Sequence, residues 1–196
     1  MENQLKEKQE RFEELIGELL AIMDPDPNRP GLKETPHRVW KYWNELLEGQ
    51  WVTNDDIAND VKYNKCFEEC KSGQLVVEKD IPIFSHCEHH LALMYDMKVA
   101  IAYIPKDKVI GLSKLGRIAD MCSRRLQLQE KIGEDIADVL KKILGTEDVA
   151  VIIEGKHGCM TARGIRAREA VTKTACLNGL FVGNTALRNE LYSLLK

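Results

Sequence analysis

The stretch Met97-Lys98-Val99-Ala100-Ile101-Ala102-Tyr103 decides the fold class of this chain. Large apolar residues occupy every second position, with lysine or alanine between them. Because the side chains of a β-strand point alternately to the two faces of a sheet, this period of two predicts a strand over residues 96–104 with one well-buried face. Strand-type residues also run from Leu75 to Phe84, and residues 149–154 predict another buried strand.

Helical periodicity flanks these strands. Residues 3–23 carry an apolar stripe, residues 132–144 repeat the pattern before Gly145, and leucines between 187 and 195 indicate a short terminal helix. A second N-terminal helix should begin with Thr35 as N-cap and Pro36 at its first position. Its expected buried face is Val39, Trp40, Trp43, Leu46 and Leu47. The sequence therefore predicts an α+β protein, with residues 1–50 as a helical segment and residues 51–196 as the main domain.

Composition narrows the functional class. The 196 residues carry a net charge of −3, so no global basic field indicates nucleic-acid binding. No apolar run approaches the ~20 residues of a membrane span, and the N-terminus lacks a signal sequence, so we expect a soluble, cytoplasmic protein. In a reducing compartment, clustered cysteine and histidine are better interpreted as metal-binding or catalytic groups than as disulfide partners.

The segment from Phe84 to His90 contains such a cluster, with three of the five histidines of the chain. Cys87 and His90 have the spacing of two ligands that hold one metal ion from a tight turn. A structural zinc site would need four ligands, whereas three leave a position open for water and chemistry. Cys159, two residues after His157 at the end of a strand, is the candidate third ligand. The alternative is a buried turn in which these residues only pack.

A second cysteine pair, Cys66 and Cys70, has the i,i+4 spacing of a helix face. It allows a second metal site, but no histidine or further cysteine is close in sequence, and the alternative is two ordinary thiols.

Several charged residues suggest binding of an anionic, guanine-like ligand. Ser113 is a natural N-cap, and Lys114 and Arg117 follow it in the first helical turn, where backbone N–H groups favour an anion. Arg38 and Lys41 are neighbours on the second helix and form either an anion clamp or a solvated edge. Glu130 can accept two hydrogen bonds side by side, as the N1–H and 2-amino groups of guanine would offer, or can simply favour a helix start.

Taken in series, these motifs resemble those of the GTP cyclohydrolase I family. The resemblance runs from about Arg29 to Phe181 and rests on five separated segments in the same order: Gly31 to Arg38, Cys87 to His90, Gly111 to Arg117, Arg125 to Glu130, and His157 to Gly164. It implies a tunnelling fold, in which an antiparallel sheet with helices on one face assembles into rings. Two five-membered rings stack to a decamer in that family, with each active site between subunits.

The resemblance also implies the chemistry and its residues. Cys87, His90 and Cys159 would bind a catalytic zinc ion, and His89 and His157 would donate and accept protons. Ser113 and Gln129 join the two histidines in the catalytic set, Gln129 by helping Glu130 to hold the guanine edge. The triphosphate of GTP would be held beside Ser113 by cations: Lys114, Arg117, Arg163, Arg38 and Lys41. The expected reaction opens the guanine imidazole ring at C8, releases formate and gives 7,8-dihydroneopterin triphosphate.

Two features depart from the family pattern. Residues 93–97 replace a proline–phenylalanine pair and a glycine common after the histidine pair, and Arg166 and Arg168 make the chain after Arg163 more basic than expected. Two other functions remain possible at this point. A zinc deaminase would match His86 to Glu88, but the later Pro-Cys-x-x-Cys of that class is missing. A zinc- and nucleotide-binding protein without turnover is the second.

Overall fold

The structure is a computed structural model that describes residues 2–68 and 73–196. It divides into two compact units, residues 1–47 and residues 48–196. Cys70, one half of the possible second metal site, lies outside the described residues. None of the helices in the described ranges combines the length and hydropathy needed to cross a lipid bilayer.

The first unit consists of two helices, α1 (Glu2–Met23) and α2 (Thr35–Leu46). Their apolar stripes meet, since the rings of Phe12 and Trp40 pack edge to face with centroids 5.4 Å apart. The prediction of the first helix is confirmed. The predicted start of α2 is wrong by one residue, because Glu34 is the N-cap and makes no side-chain cap bond. Its apolar face is only partly covered, for none of the twelve residues of α2 is buried.

The second unit contains both strands and helices. Its helices are a 3-10 helix (Glu48–Trp51), α3 (Asn54–Asn59), α4 (Leu112–Ser123), α5 (Gln129–Leu144), α6 (Gly158–Thr161), α7 (Leu180–Gly183) and α8 (Thr185–Leu194). Its strands are β1 (Cys66–Phe67), β2 (Val76–Cys87), β3 (Leu93–Tyr103), β4 (Val109–Ile110), β5 (Leu126–Gln127), β6 (Val149–His157) and β7 (Thr172–Leu177). Helix α3 begins with a capping box between Thr53 and Asp56, which was not predicted from the sequence.

A five-stranded sheet in the order β5-β2-β3-β6-β7 forms the centre of this unit, and β1 and β4 form a separate ribbon. The alternation in β3 is confirmed, since Met97, Val99, Ile101 and Tyr103 are at most 2% exposed. They face the main core, which the apolar stripes of α4 and α5 complete. Helix α5 ends at Gly145 in the left-handed conformation (φ 68°), as its sequence predicts.

The sheet differs in two respects from the predicted antiparallel sheet with helices on one face. Strand β5 pairs with β2 in parallel, so the sheet is mixed. The opposite face is also covered in part, because Phe181 of α7 and Leu191 of α8 pack against Ala102 and Ala150 in a second apolar cluster. The small alanines at the even positions of β3 and β6 leave room for these helices, and their small volume hid the second buried face in the sequence.

From the sequence alone, residues 163–166 are expected to continue strand β6, and the structure differs. The strand ends at His157 and α6 follows at once. Gly164 (φ 57°) and Arg166 (φ 51°) adopt left-handed backbone conformations, which interrupt regular strand geometry. Arg163 lies in this turn.

Candidate active site

The ends of four neighbouring strands lie side by side at one end of the sheet. Strand register places His86 opposite Leu93, Met94 opposite His157, and Cys87 opposite Gln127. The end of β2, the start of β3 and the end of β6 therefore lie side by side, next to the short strand β5. The pairing of these strands brings together residues that are far apart in the sequence.

The turn after β2 presents Cys87 and His90 on the same side. The backbone N–H of Cys87 donates to the carbonyl oxygen of Ala92 at 2.9 Å, which closes the turn, and Leu91 adopts a positive φ of 51°. Cys87 is buried, whereas His89 and His90 are exposed, with their rings edge to face and centroids 6.3 Å apart. The turn therefore anchors one ligand in the core and leaves two imidazoles outside it.

Cys159 reaches this turn from α6. The preceding residue is glycine, and a Cβ on Gly158 would make a tight contact of 3.0 Å with the carbonyl oxygen of Leu93. The hydroxyl groups of Tyr95 and Thr161 lie 3.0 Å apart and tie β3 to the end of the same short helix. Tyr95 belongs to the run 93–97 that departs from the family pattern, so this departure contributes a contact that holds α6 in place.

The side chains of Cys87, His90 and Cys159 form one potential metal site, with all ligand atoms within 4.8 Å of one another. Two thiols and one imidazole match the donors that Zn²⁺ prefers, and three protein ligands leave one of its four positions open. Burial raises the pKa of the Cys159 thiol, and the nearby Cys87 raises it further. A divalent cation would have the opposite effect and favour the thiolates.

A histidine and a carboxylate stand beside the cluster. His157, at the end of β6, lies with Nε2 2.9 Å from Oε1 of Gln129, the first residue of α5. Burial lowers the pKa of His157, and the negative charge of the neighbouring Glu130 offsets part of that shift. Glu130 is exposed while Gln129 is only 1% exposed, so successive residues at the start of α5 point to solvent and to the interior.

Arg125 organises the segment that leads into α5. Its guanidinium donates to the carboxylate of Asp135 (2.7 Å), to Oδ1 of Asn54 (2.9 Å) and to the carbonyl oxygens of Gly49 (3.0 Å) and Val52 (2.8 Å). From the sequence, Arg125 is expected to be a supporting residue of a family motif, whereas Asn54 and Asp135 were not predicted. No local pattern marks these two residues, which are 81 positions apart in the chain.

The predicted cations lie in different places. Arg163 Nη1 is 3.3 Å from Nε2 of His90, so this cation lies next to the potential metal site. Lys114 Nζ instead contacts the carbonyl oxygens of Lys62 (2.8 Å) and Val61 (3.5 Å). Ser113 and Arg117 are exposed on the same helix. The prediction of Ser113 as its N-cap is wrong, because the N-cap is Gly111.

Arg38 and Lys41 belong to the N-terminal unit, on α2. The guanidinium of Arg38 is 2.8 Å from the carboxylate of Glu34, and both side chains are more than 70% exposed. Cys66, on β1, is half-buried, and burial raises the pKa of its thiol.

Comparison with known proteins decides the family. The model of the GTP cyclohydrolase I family matches residues 12–196. The chain belongs to the GTP cyclohydrolase I family.

Individual relatives match over nearly their whole length. The chain is 52% identical over 189 residues to the GTP cyclohydrolase 1 of Clostridium acetobutylicum, covering 94% of this chain and 96% of the relative. It is 55% identical over 188 residues to that of Clostridium botulinum strain Kyoto (93% and 95%) and 52% identical over 191 residues to that of Ruminiclostridium cellulolyticum (95% and 97%). The resemblance inferred from five motifs is therefore confirmed across the chain.

Proposed function

We propose that this chain catalyses the GTP cyclohydrolase I reaction. GTP is hydrolysed at C8 of the guanine, formate is released, and the remainder rearranges to 7,8-dihydroneopterin triphosphate. The observation that carries the proposal is the convergence of Cys87, His90 and Cys159 within 4.8 Å in a chain of this family.

We propose that the metal held by these three side chains is zinc, because two thiolates and one imidazole are donors that zinc prefers. When bound, Zn²⁺ supplies Lewis acidity, which lowers the pKa of water towards ~7 and makes a nucleophile available at neutral pH. Cys87 is fixed by the closed turn and Cys159 by the packing of α6, so the pocket is prepared before metal arrives. Arg163 adjoins His90 and brings a positive charge to the same place.

Glu130 would hold the guanine base. Its carboxylate has two acceptor oxygens that match the N1–H and 2-amino donors of guanine, and it is exposed at the start of α5. Burial lowers the pKa of His157 while the negative charge of Glu130 raises it, and the latter interaction supports a site that the two residues share. His89 and His157 would move protons during ring opening and the later rearrangement of the ribose, because imidazoles titrate near neutral pH.

Cations would bind the triphosphate, which carries about four negative charges at neutral pH. We assign this role to Lys114, Arg117 and Arg163 with Ser113, and to Arg38 and Lys41 from the N-terminal unit. Lys114 contacts carbonyl groups of residues 61 and 62 rather than the Cys87 cluster. From the resemblance to the family we propose a tunnelling-fold assembly of two stacked pentamers, in which a second copy of the chain completes each active site.

The test is to incubate the purified protein with GTP and to follow formate release together with pterin fluorescence after oxidation. The protein is assayed as purified, after treatment with a zinc chelator, and after zinc is restored. We expect formate and neopterin to appear together, to vanish with the chelator and to return with zinc. Formate without pterin would restrict the activity to ring opening. Zinc-loaded protein that binds GTP and releases neither product would establish the binding protein instead.

A further inference from the structure

We propose that Gln129 is a positioning residue that fixes the ring orientation and tautomer of His157, and that it does not contact the guanine base. The inference rests on the proposed function, in which His157 is one of the proton-transfer groups. It replaces the role that the family resemblance implied for Gln129, that of a helper to Glu130.

Both ends of the Gln129 side chain are occupied by the protein. The amide nitrogen Nε2 lies 3.1 Å from the carbonyl oxygens of Ile153 and Thr172 and 3.2 Å from Oγ1 of Thr174. The amide oxygen Oε1 lies 2.9 Å from Nε2 of His157. A primary amide has two N–H hydrogens, so three acceptors already exceed its donor capacity. With the residue 1% exposed, the side chain has neither a free donor nor a free face for a base.

The partners also decide which way the amide points. The carbonyl groups of Ile153 and Thr172 can only accept, so the nitrogen of the amide must face them and its oxygen must face His157. An amide oxygen can only accept, so Nε2 of His157 must carry a hydrogen. In a neutral imidazole the lone pair is then on Nδ1. Gln129 therefore fixes the tautomer of the neutral His157 ring, with the hydrogen on Nε2 and the lone pair on Nδ1.

The contacts give this arrangement its rigidity. Gln129 is the first residue of α5, Ile153 lies in β6 four residues before His157, and Thr172 and Thr174 lie in β7. One amide thus joins a helix start to two strands and to the imidazole at the end of one of them. A ring held in this way needs no reorganisation before it reacts.

A double-mutant cycle tests the proposal, using Gln129→Met, His157→Ala and the double variant of the full-length chain, with zinc content measured for each. We expect Gln129→Met to lower kcat about 10- to 100-fold while KM for GTP stays within about two-fold, because the base contact is untouched. In the His157→Ala background the same change should lower kcat less than about two-fold, since Gln129 then has no ring to position. A kcat loss that persists in that background, or a raised KM at constant kcat, would overturn the proposal.

A measurement without a Gln129 variant keeps the proposal testable if Gln129→Met does not fold. Nitrogen-15 NMR of the histidine-labelled full-length protein reports which ring nitrogen carries the hydrogen, and the signals of His157 are assigned by their loss in His157→Ala. We expect the neutral His157 imidazole to carry its hydrogen on Nε2, which faces Oε1 of Gln129. A hydrogen on Nδ1 instead would overturn the proposal. Wild-type protein that fails to consume GTP would refute the proposed function instead, which separates the two failures.

Discussion

The turn after β2 and the polar network around Arg125 lie close to the same strand ends but differ in how their polar groups are used. In the network, Arg125 donates to two carbonyl oxygens, an amide and the carboxylate of Asp135, which is 4% exposed. In the turn, the side chain of His89 is 62% exposed, and its nearest carboxylate, Glu88, is 4.0 Å away. Groups satisfied by the protein maintain the structure, whereas groups left open to solvent can bind metal and substrate. The two regions should therefore respond differently to substitution.

The largest effect should come from a metal ligand. Cys159→Ser replaces a thiolate donor by a hydroxyl, which binds zinc poorly at neutral pH. We expect loss of bound zinc and a fall in turnover of about 1000-fold or more, since chemistry at the open metal position is lost. Zinc is measured by atomic absorption and turnover by formate release on the same samples.

Cys66→Ser is the matched control, because it makes the same change at a half-buried thiol on β1. It should retain zinc and activity. Equal losses in both variants would mean that the effect of Cys159→Ser is not one of metal binding, and full activity in Cys159→Ser would remove Cys159 from the site.

The polar network should respond in stability instead. Arg125→Leu removes the guanidinium from the buried carboxylate of Asp135, which keeps Lys131 and Asn54 as partners. It also leaves the carbonyl oxygens of Gly49 and Val52 without this donor, and we expect the combined cost to be about 3 kcal/mol. We expect a large drop in the denaturant concentration at the unfolding midpoint, measured with zinc bound. Arg124→Leu is the control, because Arg124 pairs with the half-exposed Asp120 and such pairs contribute about 1 kcal/mol or less. If both arginine variants were equally stable, the distinction between the two regions would not hold.

The sequence predicted much of the fold because local periodicity reports burial directly. The alternation in β3 and the stripe of α5 each describe a single element with one buried face. What it missed depends on distant partners. The parallel pairing of β5 involves two residues with no pattern of their own, and the cover over Ala102 comes from helices at the far end of the chain.

The same limit applies to the site. Cys87 and His90 are marked by short spacing, and Cys159 by its position at a strand end, so the potential metal cluster was found from sequence. The partners of Gln129 and Arg125 were not, because each hydrogen bond joins segments that only the sheet and α5 bring together. Motifs locate side chains that touch a ligand more easily than they locate the side chains that hold those residues in place.

A smaller effect than that of Arg125→Leu, but one on catalysis, should follow from His89→Ala. His89 is exposed on the turn after β2 and is not one of the three potential metal ligands Cys87, His90 and Cys159. Loss of a general acid–base group costs about 100-fold or more in kcat, and we expect about 100-fold here with zinc content and the unfolding midpoint unchanged. Zinc loss in this variant would show that His89 supports the metal, and full activity would remove it from the proton-transfer groups.

The smallest effect should come from Glu130→Gln, which sharpens the comparison because Glu130 is exposed and directly follows the buried Gln129. The amide keeps one acceptor oxygen but replaces the other with a donor, which opposes the donors of guanine. We expect KM for GTP to rise about 10-fold with zinc content unchanged, the cost of one charge-assisted hydrogen bond.

Glu134→Gln, one turn further along the exposed side of α5, makes the same change away from the site and should leave KM unaltered. A KM that is equal in the two variants would remove Glu130 from base recognition. A lower stability in Glu130→Gln would instead assign Glu130 to the structural network with Gln129 and Arg125.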